Sequence, residues 1–172
     1  MTRLSVFIAT SIDGYIADEA GSLDWLEGAA RPDEDYGFQT FIETVDALAM
    51  GRGTYDHIAH LDPQPFGDRE VYVFTHNPPP SRPGVTFWEM SPRDALARWE
   101  AAGLGRVYVD GGVLISAFLA EGLIDDMLLT TAPILLGAGR PLFHPIAASA
   151  PMDLVGVQSW PSGFVNRTYR RS

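Results

Sequence analysis

The chain has 172 residues, of which 46% are hydrophobic and 20% charged, so we expect one folded domain spanning residues 1–172 rather than a disordered chain. Twelve basic and 22 acidic residues give a net charge of −10, the wrong sign for binding nucleic acid or an anionic membrane surface. Cysteine and lysine are both absent, which excludes thiol nucleophiles, thiolate metal sites, disulfides and lysine Schiff bases.

The first half of the chain alternates short apolar runs with helical patterns. Residues 4–9 form a mostly apolar run that predicts a buried strand. Apolar residues spaced three or four apart then predict a helix over 33–46. A second strand is predicted over 47–50, a short helix over 54–60, and a third strand over 70–75 before a proline-rich loop.

The second half continues this alternation and then ends in strands with no helix between them. The pattern predicts strands over 86–89 and 106–109, helices over 92–102 and 113–120, an apolar stretch over 126–136, and a closing hairpin over 153–159 and 163–170. Strands that alternate with helices favour a parallel sheet covered on both faces, whereas late strands with no helix between them favour antiparallel additions. The predicted fold class is therefore α/β.

Two glycine-rich turns each leave a predicted strand just before a helix. They are Gly51-Arg52-Gly53 and Asp110-Gly111-Gly112. The first amide groups of a helix are unpaired and partly positive, so two such turns can hold two phosphates of one dinucleotide. Ordinary turn chemistry is the alternative. Neither turn has the G-x-G-x-x-G spacing, which argues against a Rossmann fold.

Other polar residues give weaker patterns. His57 and His60 lie three apart, but no further ligand cluster accompanies them, so a surface role is favoured and no metal is expected. Asp33, Glu34 and Asp35 fit either a general acid or a solvated helix start.

Three ordered motifs identify a family resemblance. They are S-I-D-G-Y-I-A at 11–17, M-G-R-G-T-Y at 50–55 and V-D-G-G at 109–112, and the stretch over 123–143 extends the match. The chain resembles the dihydrofolate reductase-like superfamily, most closely the C-terminal reductase domain of the bacterial riboflavin-biosynthesis deaminase-reductase. The resemblance implies three αβα layers, a mostly parallel twisted sheet of about eight strands with an antiparallel C-terminal edge, and NADPH bound across the strand ends.

The resemblance also implies thirteen cofactor-binding residues on short segments that follow strands. These are Ala9 and Ile16 beside the nicotinamide, Gly51, Arg52, Gly53 and Thr54 at phosphates of the adenosine half, Thr75 and His76 at the 2′-phosphate, and Asp110, Gly111, Gly112, Val113 and Leu114 at the pyrophosphate turn. Arg52 and His76 favour NADPH over NADH, because both can carry positive charge toward a 2′-phosphate.

Two catalytic residues are implied by the same resemblance. Asp35 lies fifteen residues before Met50, the spacing of the family carboxylate that orients the substrate and assists its protonation. Asp33 and Glu34 are alternatives for that role. Trp25 matches an aromatic residue that closes a mobile loop over the nicotinamide, although simple core packing explains it equally well.

The leading functional hypothesis is an NADPH-dependent reductase that transfers a hydride to a small heterocyclic or carbonyl substrate. One alternative is the 5-amino-6-(5-phosphoribosylamino)uracil reductase of riboflavin biosynthesis, although the absence of lysine removes part of the expected phosphate-binding apparatus. Another alternative is a ligand-binding protein on the same fold without turnover.

We further expect a homodimer, formed by the apolar stretch over 126–136 and the late strands pairing across a two-fold axis. The apolar run near the N-terminus is too short for a signal peptide, and no stretch approaches the ~20 apolar residues that span a bilayer. A cytoplasmic location is therefore expected.

Overall fold

The computed structural model describes residues 1–61 and 66–172. The strands are β1 (Arg3–Thr10), β2 (Tyr15–Ala17), β3 (Ala47–Gly51), β4 (Glu70–Phe74), β5 (Val85–Trp88), β6 (Arg106–Asp110), β7 (Asp126–Thr131), β8 (Arg140–Pro141), β9 (Met152–Ser159) and β10 (Val165–Arg171). The helices are α1 (Asp24–Ala29), α2 (Phe38–Ile42), α3 (Arg52–Ile58), α4 (Pro92–Ala101) and α5 (Gly112–Ala120). In this described part of the chain the longest helix has ten residues, and no helix is long and apolar enough to cross a membrane.

Eight of these strands form one sheet in the order β5-β4-β3-β6-β1-β7-β10-β9. The six strands from β5 to β7 pair in parallel, while β10 and β9 add in antiparallel orientation at one edge. Strands β2 and β8 form a separate antiparallel pair. The predicted fold class is confirmed: the protein is α/β, with a mostly parallel sheet and an antiparallel C-terminal edge.

Helices cover both faces of the sheet, because neighbouring side chains of a strand point in opposite directions. Leu48 of β3 lies in a buried cluster that includes Tyr55 of α3. The next residue, Ala49, lies in a second buried cluster with Trp99 of α4 and Phe118 of α5. Helices α2 and α3 therefore cover one face and α4 and α5 the other, which gives the three predicted layers.

The helix predicted over 33–46 is wrong. Only α2 lies within this range, and it starts at Phe38. Tyr36 and Gly37 both have positive φ angles, 55° and 83°, which a right-handed helix does not allow. A second short helix, α1, precedes this break and was not predicted. The apolar spacing that suggested a long helix belongs to a loop followed by a five-residue helix.

The other predicted strands and helices are confirmed to within two residues at each end, and of the apolar stretch over 126–136 only 126–131 form a strand, β7. The helix predicted from 92 begins as expected, since the Ser91 side chain accepts a hydrogen bond from the Asp94 backbone N–H. The predicted closing hairpin is formed by β9 and β10, which pair from Met152 opposite Arg171 to Ser159 opposite Val165. Strand β9 is the outer strand at this edge of the sheet.

Two short strands, β2 and β8, were not predicted. Tyr15 pairs with Pro141, and Ala17 pairs with Arg140, although these residues are more than 120 positions apart in the chain. Strands of two or three residues leave no periodic pattern in a sequence, so only the folded chain shows this pairing. The pairing places Arg140 beside the loop that follows β2.

A carboxylate fixes the turn before β2. Asp13 accepts hydrogen bonds from the Ser11 hydroxyl at 2.6 Å, from the Gly137 backbone N–H at 2.7 Å and from the Leu136 backbone N–H at 3.2 Å. The hydrogen bond from Ser11, together with the two backbone bonds, holds the pKa of Asp13 below its ordinary value. The loop between β1 and β2 is thus tied to the segment that leads into β8.

Candidate functional site

The carboxyl ends of the parallel strands β1, β3, β4 and β6 meet at one edge of the sheet. Two cavities of about 630 and 280 Å³ lie at this edge. They have five lining residues in common, which are Ile16, Gly53, Thr54, Gly111 and Arg140. The two cavities therefore adjoin one another and form one extended cleft.

The larger cavity lies against α3, α5 and the ends of β4 and β5. Its lining contains eleven of the residues predicted to bind the cofactor: Ile16, Gly51, Arg52, Gly53, Thr54, Thr75, His76, Gly111, Gly112, Val113 and Leu114. The other lining residues include Phe74, Trp88, Glu89, Met90 and His144. Both predicted glycine turns thus face the same cavity.

The smaller cavity contains the remaining two predicted residues, Ala9 and Asp110. Much of its wall is apolar, with Phe7, Leu23 and Leu26 among the lining side chains. Together the two cavities are lined by all thirteen residues predicted to bind the cofactor, although these residues come from distant parts of the chain.

Asp110 is the carboxylate of the smaller cavity. It is the last residue of β6, half-buried, and pairs in register with Met50 of β3. Burial raises the pKa of Asp110 to about 6, and the hydrogen bond from the Gly111 backbone N–H at 2.8 Å opposes this shift only in part. The side chain can therefore carry a proton near neutral pH.

The turn before α5 needs both of its glycines. Gly111 has a φ of +93°, and a Cβ atom there would lie 2.7 Å from the Thr54 hydroxyl oxygen. A Cβ atom on Gly112 would lie 2.5 Å from the Pro141 carbonyl oxygen. The N-terminus of α5 has no side-chain cap, so its first amide groups stay available at the edge of the larger cavity.

Arg52 and His76 both line the larger cavity, and both have carboxylate partners. Arg52 donates to Asp56 at 2.7 Å and to the Asn77 carbonyl oxygen at 2.8 Å. The Nδ1 atom of His76 lies 2.7 Å from an oxygen of Glu89. The positive charge predicted to favour a 2′-phosphate is thus partly balanced by protein carboxylates.

The structure places Asp35 outside this cleft, although a role beside the substrate was expected for it. Its exposed carboxylate accepts hydrogen bonds from the backbone N–H groups of Gly37 at 3.0 Å and Gln39 at 3.3 Å, so it stabilises the start of α2. Asp33 pairs with Arg31. Neither they nor Glu34, whose carboxylate accepts from Ser162, lines the two cavities. The break before α2 turns this acidic run away from the site.

Trp25 also lines neither cavity. It lies half-buried in α1, and its buried Nε1 atom has no hydrogen-bond partner among the described residues. Its neighbours Leu23 and Leu26 contribute to the wall of the smaller cavity instead. This placement agrees with a packing role for Trp25 rather than with contact to a bound ligand.

Sequence reasoning missed several residues of the cleft. Glu89 follows the end of β5, next to β4, so the rule that parallel strands end at one edge could have identified it. His57 lines the smaller cavity from α3, although a surface role was favoured for it. Arg140 lines both cavities, and no local pattern marks it because the pairing of β8 with β2 places it there.

A comparison of the sequence with protein families and known proteins supports the resemblance. Residues 66–166 match the model of the RibD C-terminal domain. The uncharacterized protein YwjB of Bacillus subtilis strain 168 is 37% identical over 164 residues, which cover 93% of this chain and 94% of YwjB. The similarity to YwjB therefore extends over almost the full length of both proteins.

Solved structures show the same fold. A proposed riboflavin biosynthesis protein from Shewanella sp. PV-4 superposes with a TM-score of 0.91 at 38% identity, covering 99% of both chains. Dihydrofolate reductase from Enterococcus faecalis, complexed with NADP(H) and RAB-propyl, superposes with a TM-score of 0.68 at 20% identity, covering 99% of this chain and 96% of the reductase. The fold is thus that of dihydrofolate reductase, and the chain belongs to the RibD C-terminal domain family.

Proposed function

We propose that the protein is an NADPH-dependent reductase that transfers a hydride to a small heterocyclic or carbonyl substrate. The observation that carries this proposal is the convergence of all thirteen predicted cofactor residues on one cleft at the carboxyl edge of the sheet. In open α/β sheets, ligands bind in a crevice at this edge. Membership of the RibD C-terminal domain family agrees with a reductase.

The cleft fits an extended dinucleotide. Glycines at both turns bring backbone amides to the larger cavity, and Gly51 has no atom within 4 Å of a Cβ position, so its backbone faces open space. The uncapped N-terminus of α5 favours a negatively charged group. In this proposal the two glycine turns hold phosphates, and Arg52 and His76 bind the 2′-phosphate.

The smaller cavity is the proposed site of reaction. When bound, the nicotinamide supplies the hydride. The apolar side chains of Phe7, Leu23 and Leu26 exclude water from this cavity and favour a small substrate with an apolar ring or a carbonyl group. Ala9 and Ile16 line the same cavity, and in this proposal their backbone groups orient the carboxamide.

Asp110 is the proposed source of the proton that must accompany the hydride. It is the carboxylate of the smaller cavity, and burial raises its pKa to about 6. A carboxyl group with a raised pKa can hold a proton near neutral pH and donate it to a substrate nitrogen or oxygen. We prefer Asp110 to Asp35 for this role, because Asp35 lies outside both cavities.

The family favours a second candidate function, reduction of 5-amino-6-(5-phosphoribosylamino)uracil. The ribosyl phosphate of that compound needs a cationic partner, and the lysine-free chain offers only arginine or protonated histidine. Supplying this compound with NADPH separates the two functions. Oxidation of NADPH by this compound, with none by a panel of pterins, aldehydes and quinones, would identify the second function as the correct one.

The proposal is tested first by binding. Tryptophan fluorescence is titrated with NADPH and NADH in the wild type and in the Gly111→Leu and Val113→Glu variants. Gly111→Leu fills the turn, whereas Val113→Glu places a negative charge at the exposed first turn of α5 without changing a glycine. We expect NADPH to bind the wild type and both variants to lose at least tenfold in affinity.

Two controls make the result specific. Val113→Gln has the same shape as Val113→Glu without its charge, and Gly28→Leu adds an equally large side chain at a glycine with open space around it. Both controls should bind NADPH within about twofold of the wild type. A wild-type protein that binds neither nucleotide would remove the reductase proposal. Binding of NADPH without turnover of any compound would instead favour a ligand-binding protein on this fold.

We also propose that the protein is a cytoplasmic homodimer. Strand β9 is the outer strand of the sheet, and its Leu154, Val155 and Val157 side chains are between 50% and 63% exposed. An exposed apolar edge strand is uncommon in a monomer, because it invites pairing with another chain. Pairing of two copies through this edge would cover these side chains.

A further inference from the structure

Arg140 is a cleft residue without a partner. It begins β8, is exposed, and lines both cavities. Within residues 1–61 and 66–172, its guanidinium has no hydrogen bond or ion pair, whereas the other arginine of the cleft, Arg52, is bound by Asp56 and the Asn77 carbonyl. Arginine presents a planar fork of five donors, so this free group is available to a ligand.

Neighbouring backbone on two sides shows where the guanidinium lies. Ala17 pairs with Arg140 in register, which holds the start of its side chain against the loop after β2. A Cβ atom on Gly21 would lie 2.6 Å from one guanidinium nitrogen of Arg140, and a Cβ atom on Gly53 would lie 3.9 Å from another. The group therefore lies between the loop after β2 and the first turn of α3.

This position is the junction of the two cavities. Arg140, Gly53, Thr54 and Gly111 line both of them, so a ligand that extends from one cavity to the other passes these residues. The middle of a nicotinamide dinucleotide is its pyrophosphate, which carries two negative charges. Guanidinium groups bind such oxygens through paired, charge-assisted hydrogen bonds.

We propose that Arg140 of β8 binds the pyrophosphate of the nicotinamide cofactor, next to the glycine turn before α5. This inference rests on the proposed function. It adds to the cofactor site a residue from outside the two glycine turns. An anionic group on the substrate is the alternative ligand, and the test separates the two.

The test compares Arg140→Gln with a matched control. Arg170→Gln removes a second exposed arginine, which lies on β10 away from both cavities and has no hydrogen bond or ion pair among the described residues. Kd values for NADPH and NADH are measured by fluorescence titration in low and high salt, together with the Tm of each variant. Arg140→Lys tests whether charge alone is sufficient.

We expect Arg140→Gln to weaken NADPH and NADH binding equally, by at least tenfold, because both nucleotides carry the pyrophosphate. The salt dependence of binding should also fall, since one ionic contact is lost. Arg140→Lys should bind more tightly than Arg140→Gln and less tightly than the wild type, because lysine restores the positive charge but not the planar set of guanidinium donors. Arg170→Gln should match the wild type, and all variants should keep the wild-type Tm within a few degrees.

Three results would overturn the proposal. If Arg140→Gln binds both nucleotides like the wild type, Arg140 does not bind the cofactor, and a rise in KM for an anionic substrate would then assign it to the substrate. If only NADPH binding weakens, Arg140 contacts the 2′-phosphate instead. If the wild type binds neither nucleotide, both this inference and the proposed function are wrong. In the first two results the wild type does bind a nucleotide, so they contradict only the inference about Arg140.

Discussion

The Nδ1 atom of His76 lies 2.7 Å from a carboxylate oxygen of Glu89, and both residues line the larger cavity. His76 lies two residues after β4 and Glu89 directly follows β5, so the parallel pairing of these strands brings the two side chains together. A protonated His76 attracts a 2′-phosphate, whereas Glu89 repels it and accepts a hydrogen bond from a free ribose hydroxyl. In the proposed cofactor site, the two side chains would therefore favour different nucleotides, His76 NADPH and Glu89 NADH.

Replacing Glu89 with Gln should shift this balance toward NADPH. The change keeps the size of the side chain and removes the negative charge nearest His76. We expect the ratio of NADH to NADPH dissociation constants to rise about threefold to tenfold, which corresponds to about 1 kcal/mol at an exposed site. Fluorescence titration measures both constants. Glu100→Gln, on the exposed surface of α4, is the matched control. An unchanged ratio in Glu89→Gln would show that Glu89 does not face the adenosine ribose.

The parallel part of the sheet was predictable because its strands are separate, mostly apolar runs. The strand over Ala47–Gly51 is bounded by a glycine turn, and Glu70–Phe74 is rich in aromatic and β-branched residues. The region before β3 was not predictable in the same way. Its apolar spacing fits a helix, but the positive φ angles of Tyr36 and Gly37 come from packing that the local pattern does not reveal. Asn166, for example, donates to the Tyr36 carbonyl from the far end of the chain.

The glycine turns of the cleft were predictable, because each lies directly between a strand and a helix. The proposed proton donor was not predictable, since its identity depends on which side chains face the cavity. Asp35 has the family spacing but accepts hydrogen bonds from backbone N–H groups at the start of α2, whereas Asp110 lies in the smaller cavity because β6 pairs with β3. Arg140 depends on a pairing with residues more than 120 positions away. The positions of Asp110 and Arg140 in the cleft therefore depend on long-range contacts, which leave no pattern in the local sequence.

Gly112→Ala should destabilise the protein by about 1–3 kcal/mol, because extra volume in a closely packed site forces backbone shifts. A Cβ atom there would lie 2.5 Å from the Pro141 carbonyl oxygen and 2.7 Å from that of Leu142, and neither is a flexible side chain. Urea unfolding measures the change. Gly28→Ala is the control, since its Cβ position is open and alanine favours a helix. Equal stability of the two variants would mean that β8 moves freely away from α5.

Val157→Asp should convert the proposed dimer to a monomer. Val157 is 63% exposed on the outer strand β9, and a charge in a buried apolar contact between two copies would be left without a partner. Light scattering should give about twice the chain mass for the wild type and the chain mass for the variant. Ala97→Asp, on the exposed face of α4, should remain dimeric. A wild type that is already monomeric at micromolar concentration would contradict the dimer.

The pH dependence of stability should report the state of Asp110. Burial raises its pKa in the folded protein to about 6, whereas an unfolded chain has an ordinary Asp pKa near 4. Between these values the folded protein holds the proton more strongly, so this group contributes stability below about pH 4 that is lost as the pH rises through about 6. The opposite contribution of Asp13, whose pKa is lowered, is common to the wild type and to Asp110→Asn and cancels in their difference.

Asp110→Asn removes this titration. The variant and the wild type should differ little in unfolding free energy at pH 4, and the variant should be more stable at pH 8 by about 2–3 kcal/mol, the equivalent of the shift in pKa. The same carboxyl group should limit turnover, because its proton is lost above about pH 6. Urea unfolding and the pH profile of kcat measure the two effects. Asp56→Asn, an exposed carboxylate paired with Arg52 outside both cavities, should retain the wild-type pH dependence of kcat and stability. A wild-type kcat profile in Asp110→Asn would show that the proton comes from another group or from water.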